Sequence, residues 1–255
     1  MREKIILLLV VIICFSCKKS DVEYPDRECI STFDATGLHL YKFTPFTIEQ
    51  WKVMDYAEKL KHRQIPPEFM RKMNTDELFI QFIHMDMAKD VLMFNTLQKG
   101  FIRAVSRYNV LQELYQRSDA VSYFIQMLNN TNIENVKSDE CRFYYLCLQM
   151  FSAQVELIGK MNMPDTKRYV DVVYRIMEDM THLSSINKEW ESLSNYTFCT
   201  IAFANIMITY NYTPFIDLMR LNKDIDLYIN GDIFLDEILF ALISDKMLEF
   251  YKQLK

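Results

Sequence analysis

The sequence predicts an all-α protein, an irregular multi-helix bundle or a short α-solenoid built from antiparallel helical hairpins. Three observations carry this. Apolar residues recur at steps of three and four along most of the chain, no stretch sustains strand alternation, and the whole chain holds only 4 glycines, too few for a turn-rich β fold. No internal repeat period is present, so no named repeat family is implied.

The chain opens with a charged head, Met1 to Lys4, an unbroken apolar run, Ile5 to Ile13, and the closing sequence Cys14-Phe15-Ser16-Cys17. This is the outline of a signal peptide. The run falls short of the roughly 20 residues that a resident membrane helix needs. Ser16 is small and directly precedes Cys17, which fits a lipoprotein cleavage site. Residues 1–16 are therefore expected to be removed and Cys17 to carry a covalent lipid with acyl chains such as palmitate. Cys14 is the rival modification site, but it follows the bulky, β-branched Ile13. An ordinary secreted protein cleaved nearby, or a short uncleaved anchor, is the alternative.

Residues 17–46 are polar and irregular, interrupted by Pro25, Gly37 and Pro45. They read as a tether whose later part lies on the domain. Lys18 follows the anchor Cys where Asp would favour the inner membrane, so the outer membrane is the expected address. Whether the protein faces the periplasm or the exterior is left open.

An apolar fraction of 50% and an aromatic fraction of 14% suffice for a packed core in the 255-residue chain. Net charge is −5, and the leader's Arg2 and Lys4 against Glu3 leave the mature chain one unit more negative. An acidic chain without a basic cluster has no footprint for nucleic acid and no attraction to anionic headgroups. Attachment to the membrane should come from the lipid alone.

Helices are expected from residue 47 to 255. Thr47-Ile48-Glu49-Gln50 has the form of a capping box, and Lys59, Lys61, His62 and Arg63 complement the dipole at the far end of one helix. Pro66-Pro67 stops it and begins a short successor. Asn74 to Glu77 starts the next, through Phe79, Phe82 and Ile83. Thr96 caps another, with Leu97, Phe101, Val105 and Tyr108 on one face. Further helices are expected at Val110 to Arg117 and Asp119 to Asn129. The polar stretch at 130–138 is where a sub-boundary would fall.

From Cys141 the positions Cys141, Tyr144, Leu148, Phe151, Val155 and Ile158 stripe one helix. Tyr169, Val172, Ile176, Met180 and Leu183 stripe the next, with Pro164 in its tolerant first turn. Phe198 to Ile208 is apolar on nearly all sides and is expected to be the most buried helix. A last helix should run from about Asp232 to Leu254.

Cys29, Cys141, Cys147 and Cys199 remain once Cys14 and Cys17 are set aside. Export permits disulfides, yet the last three lie in apolar helical stretches, where Cys commonly acts as a small buried hydrophobe. Buried thiols are the favoured reading, and no pair has metal-ligand spacing.

The sharpest local pattern runs from Asp226 to Glu237. As a calcium loop it offers Asp226, Asn230, Gly231, Asp232, Ile233 and Glu237, but Tyr228 occupies a position that needs an oxygen ligand. Against calcium stand two turn readings: Asn230-Gly231 as the left-handed end of a helix with Asp232 starting the next, or as a hairpin turn. Calcium is the weak candidate of the three, and no cofactor other than the lipid at Cys17 is expected. His84 with Asp86 and Asp90, and His182 with Glu178 and Asp179, are the histidines with carboxylate neighbours. Neither supplies three zinc ligands locally, so surface pairing or capping is preferred. The 16 methionines, 18 phenylalanines and 15 tyrosines fall at helical spacing and read as core before they read as a pocket.

Four blocks between Trp51 and Ala120 carry a resemblance: Ile65-Pro66-Pro67-Glu68; Met73-Asn74-Thr75-Asp76-Glu77-Leu78; Phe94-Asn95-Thr96-Leu97-Gln98-Lys99-Gly100-Phe101; and the run from Asn109 through Arg117 to Ala120. The segment resembles uncharacterised helical exported lipoproteins of Bacteroidetes-type bacteria. Those proteins often show a Tyr-Pro pair after the second block, where this chain has Met85-Asp86-Met87. The resemblance implies export and helical content, and assigns no catalytic residue.

A membrane address joined to a helix array without a catalytic motif implies a binding or scaffold module for a protein or glycan partner. The alternative is a hydrolytic enzyme whose site is assembled from distant residues such as Glu178, His182 and Asp86.

Overall fold

A computed structural model describes residues 38–85, 87–133, 136, 138–186 and 192–254. Cys14, Cys17, Cys29 and Asp86 lie outside them, as does all of the leader. Among the described residues the fold is all-α, with no strand or sheet.

Local sequence signals set most of the element boundaries. Helix α1 (Ile48–Val53) starts at the Thr47 capping box, with Thr47 N–H donating to Gln50 Oε1 at 2.9 Å and Gln50 N–H to Thr47 Oγ1 at 3.2 Å. The single helix expected to follow is instead two. Asp55 accepts from Glu58 N–H at 2.8 Å while Glu58 accepts from Asp55 N–H at 3.2 Å, a second capping box that begins α2 (Tyr56–Lys61). After α3 (Pro67–Met70), Asn74 and Glu77 form a third box at the start of α4 (Thr75–Ile83). A 3₁₀ helix at Ala88–Met93, unanticipated from the sequence, precedes α5 (Leu97–Arg107), α6 (Asn109–Gln116) and α7 (Ala120–Asn130).

The long stripe from Cys141 is likewise divided. Helix α8 (Asp139–Ser152) stops at Ala153, Gln154 is extended, and α9 (Val155–Ile158) is one turn. Buried polar side chains hold this break open. Gln154 donates to the Met150 carbonyl at 2.7 Å and to Gln98 Oε1 at 3.1 Å, and Asn205 donates to the Ala153 carbonyl at 2.8 Å. Helix α10 (Met163–Ile186) follows, and a 3₁₀ turn at Leu193–Tyr196 leads into α11 (Thr197–Thr209). The last three are α12 (Thr213–Leu221), α13 (Asp224–Ile229) and α14 (Glu237–Leu254). The final helix begins later than expected because Asp236, not Asp232, caps it, accepting from Leu239 N–H at 2.8 Å.

Helix α11 is the hub. Every residue from Phe198 to Met207 is buried, as an apolar run without a polar face requires. It packs against α8, α9, α10, α12, α13 and α14. A solenoid helix touches only its sequence neighbours, so this arrangement is an irregular bundle. One core runs continuously across residues on both sides of 130–138. Its N-terminal half is aromatic: Phe151 meets Phe82 edge-on at 5.1 Å and Phe101 at 4.8 Å.

Residues 38–46, the last part of the expected tether, lie against the helices. His39 N–H donates to Glu77 Oε1 at 2.7 Å and Tyr41 N–H to Gln81 Oε1 at 2.6 Å, so two side chains one turn apart on α4 satisfy alternate backbone amides of this irregular segment, while Leu40 N–H between them donates to the Leu38 carbonyl at 3.1 Å. His39 stacks on Phe69, with ring centroids 4.5 Å apart. Farther on, the buried Arg63 guanidinium lies among Trp51, Phe43 and Phe46 at 4.8, 5.2 and 5.7 Å from their ring centres.

The cysteine reading needs one correction. Cys147 and Cys199 are free and buried, but Cys141 is disulfide-bonded, and its partner lies outside the described residues. Cys141 occupies the first turn of α8 and is buried in the core.

Candidate functional site

A cavity of about 310 Å³ opens beside α8, at the low end of the roughly 300–1,000 Å³ usual for small-molecule sites. Helix α8 supplies Arg142, Tyr145, Leu146, Gln149 and Met150, while Met180 of α10, Ser194 and Asn195 of the 3₁₀ turn, and Thr197 and Phe198 of α11 close the far side. Leu97, Ile133 and Val136 complete the wall. Arg142, Tyr145 and Gln149 are spaced three and four apart and so share one stripe of α8. The stripe of Cys141, Tyr144, Leu148 and Phe151 runs beside it. An array of facing helices thus receives α8 on two adjacent faces, one filled by side chains and one left hollow.

Two polar atoms of this stripe are sealed from solvent, the cavity included, and have nothing to bond. Tyr145 and Gln149 are 5% and 6% exposed, yet the Tyr145 hydroxyl and the Gln149 amide nitrogen have no hydrogen-bond partner. The Gln149 amide lies near enough to favour the ionised phenol, but the two groups do not meet in hydrogen-bond geometry. Burial drives the Tyr145 pKa upward; Cys199 and Asp179 add to the rise, and Arg175 and Gln149 oppose it. The hydroxyl is therefore a proton-bearing donor at neutral pH. Leaving such a group buried and unmet costs about 1–3 kcal/mol. Arg142 stands at the exposed rim, its guanidinium 3.9 Å from Asp139. None of the described residues lining the cavity is a carboxylate.

The residues singled out in the sequence fall elsewhere. Asp226, Asn230, Asp232 and Glu237 do not converge. Asn230 Nδ2 donates to the Asp226 carbonyl at 2.9 Å, Gly231 takes φ +75° at the end of α13, and Asp232 is paired with Lys99 at 2.7 Å. Gly231 and Asp232 N–H groups return to the Tyr228 and Leu227 carbonyls, the closure of a helix C-terminus. Among the described residues no group of three or more His, Cys, Asp or Glu could hold a metal. On α10, His182 is exposed and Glu178 half-buried, with the Glu178 pKa raised by burial and by Asp179. Their proposed partner Asp86 lies outside the described residues. His84 is exposed at the end of α4, and Asp90, on the first 3₁₀ helix, has a pKa raised by burial against the opposing charges of Arg107 and Lys59.

The cavity residues went unread in the sequence because Arg142, Tyr145 and Gln149 interleave with a stronger apolar stripe. The available signal was polar residues recurring at helical spacing on a face adjoining that stripe. No helix among the described residues is long and apolar enough to cross a membrane. No protein-family model matches the chain, and none of the curated proteins or solved structures compared with it does so.

Proposed function

We propose that the protein is a lipid-anchored component of the cell envelope, held at the outer membrane through Cys17, whose helical domain acts by binding. The leader motivates the address, and the likeness to exported lipoproteins of Bacteroidetes-type bacteria is consistent with it. One observation carries the binding reading: a cavity of about 310 Å³ between α8 and α11, with an apolar wall and Arg142, Ser194, Asn195 and Thr197 as polar lining. A concave, mostly apolar surface with a few placed polar groups is the usual form of a small-molecule site. A protein or glycan partner would use the same opening, inserting one side group between α8 and α11.

Native mass spectrometry of the full chain, extracted from membranes in mild detergent, tests this reading. The expected result is a lipidated chain carrying a second, dissociable mass, with the lipid lost in Cys17→Ala. A lipidated chain without any adduct, together with no partner recovered by affinity capture, overturns the reading.

A further inference from the structure

We infer that the corner formed by α1, α2, the first 3₁₀ helix and the end of α5 docks on a lipid surface bearing anionic headgroups, an assignment that rests on the membrane address and adds a second contact to it. Val53 and Met93, at the ends of α1 and the 3₁₀ helix, are 84% and 83% exposed, and Ile48, Tyr56 and Leu92 are exposed with them. Arg107 joins the two groups. Its guanidinium lies 5.0 Å from the Tyr56 ring centre and 5.9 Å from that of Phe94, and it donates to the Tyr56 hydroxyl at 3.0 Å. Tyr56 follows Val53 by three residues and Phe94 directly follows Met93, so the apolar side chains flank one cation. Large apolar side chains gathered on a surface mark a contact with something apolar.

The charge of this corner is opposite to that of the chain. Residues 47–63 and 88–107 carry eight Lys and Arg against four Asp and Glu, although the whole chain stands at −5. The average conceals this, because the two segments meet only in the fold: Lys59 and Arg107 both act on the Asp90 carboxyl. Two of the acids, Asp55 and Glu58, are turned to backbone N–H groups in their capping box. Lys52, Lys89 and Arg103 are exposed. Apolar side chains among Lys and Arg, with Tyr56 and the half-buried Trp51 beside them, have the composition of an interfacial surface. Long cationic side chains cover apolar neighbours while holding their charge at the headgroups. Position agrees, since α1 is the first helix after the tether. The 21 residues from Cys17 to Leu38 span at most about 75 Å, so an anchored chain keeps the corner within reach of headgroups and a weak contact suffices. That reach favours a lipid surface over an acidic protein partner.

The test uses the full-length protein in vesicles of phosphatidylcholine with phosphatidylglycerol, their acyl chains brominated so that a tryptophan entering the bilayer loses its fluorescence. Val53→Trp and Met93→Trp place reporters in the corner, and Leu221→Trp, at the equally exposed end of α12, is the control. All three should melt with the parent. Quenching beyond that of the parent's own Trp51 and Trp190 should appear at 53 and 93 and be absent at 221. It should fall in phosphatidylcholine alone or at high salt, where headgroup charge is missing or screened. Lys52→Gln and Lys89→Gln, placed in the Val53→Trp chain, should weaken the docked state by about fivefold for each cation lost.

Reporters at 53 and 93 that acrylamide quenches from the water and the brominated lipid does not overturn the inference. Reporters shielded from both overturn it too, since protein, this chain or another, then covers the corner. Equal lipid quenching at all three positions overturns it as well. Mass analysis of Cys17 separates this inference from the anchor on which it rests. If Cys17 carries no lipid, the anchor reading fails; quenching at 53 and 93 on adding the same chains to vesicles still upholds the corner, and its absence overturns that as well.

Discussion

Asn205 Nδ2 donates to the carbonyl oxygen of Ala153 at 2.8 Å, joining the central helix α11 to the point where α8 stops. Both ends of this bond are buried. With α8 finished, the Ala153 carbonyl lacks the helical partner it would have had in a continuous helix, and Asn205 supplies the donor. Asn205→Leu makes α11 uniformly apolar and should nonetheless destabilise the protein, by about 1–3 kcal/mol for the orphaned carbonyl. In a chain of this size that is roughly 2–12 °C in melting temperature. An unchanged or raised melting temperature would show that the carbonyl finds water or another donor.

Gly100 faces the backbone of the first 3₁₀ helix so closely that a Cβ would lie 1.9 Å from the Val91 carbonyl oxygen. The obstacle is backbone, with no flexible side-chain end to yield. Gly100→Ala, normally favourable in a helix interior by up to about 1 kcal/mol, should here cost about 3 kcal/mol, the upper range for overpacking. Calorimetric melting checks the sign. Stabilisation by the alanine would mean that α5 and the 3₁₀ helix separate more readily than the packing shows.

Glu178 gives a pH dependence whose direction follows from burial. Its folded-state pKa is raised, first by desolvation and then by Asp179, so the folded protein holds this proton more tightly than the unfolded chain does. Stability contributed by the group is therefore full below the unfolded carboxylate range and is lost as pH rises through the raised value. Glu178→Gln should raise the melting temperature at about pH 7, with the gain fading as pH falls below about 4. Melts of parent and variant across that range decide it; a gain independent of pH would place its cause outside the titration.

Much of the fold was legible in the sequence because local chemistry fixed it. Thr47 with Gln50, and Asn74 with Glu77, announced their helices by capping boxes that the structure reproduces. Phe198 to Ile208 announced its burial by lacking any polar face, and Phe198 to Met207 are buried. What stayed hidden depended on contacts between distant segments. Nothing between Cys141 and Ile158 marks a break, since the apolar stripe continues through it; Asn205 and Gln98, far along the chain, supply the bonds that hold the interruption. The Asp55 box is masked in the sequence because the basic cluster at 59–63 suits a longer helix equally well. The cavity was hidden for a related reason: a stripe of Arg142, Tyr145 and Gln149 does not reveal whether the neighbouring helices fill the space before it.

The cysteines divide into two chemical populations, and labelling separates them. Burial raises the Cys147 thiol pKa well above its ordinary value. For Cys199 burial raises it too, partly offset by a backbone hydrogen bond, and the thiol donates to the Val173 carbonyl at 3.6 Å. Since the thiolate is the reactive form, both should resist iodoacetamide in the native protein over a wide range of alkaline pH. Cys141, disulfide-bonded, has no thiol to offer until reduced. In denaturant without reductant, peptide mapping should find Cys147 and Cys199 alkylated and Cys141 unmodified. Added reductant should then label Cys141 together with its partner. Native labelling of Cys199 would show that α11 opens on the timescale of the reaction, contrary to its place at the centre of the bundle. Labelling of Cys141 in denaturant alone would show that the disulfide does not form.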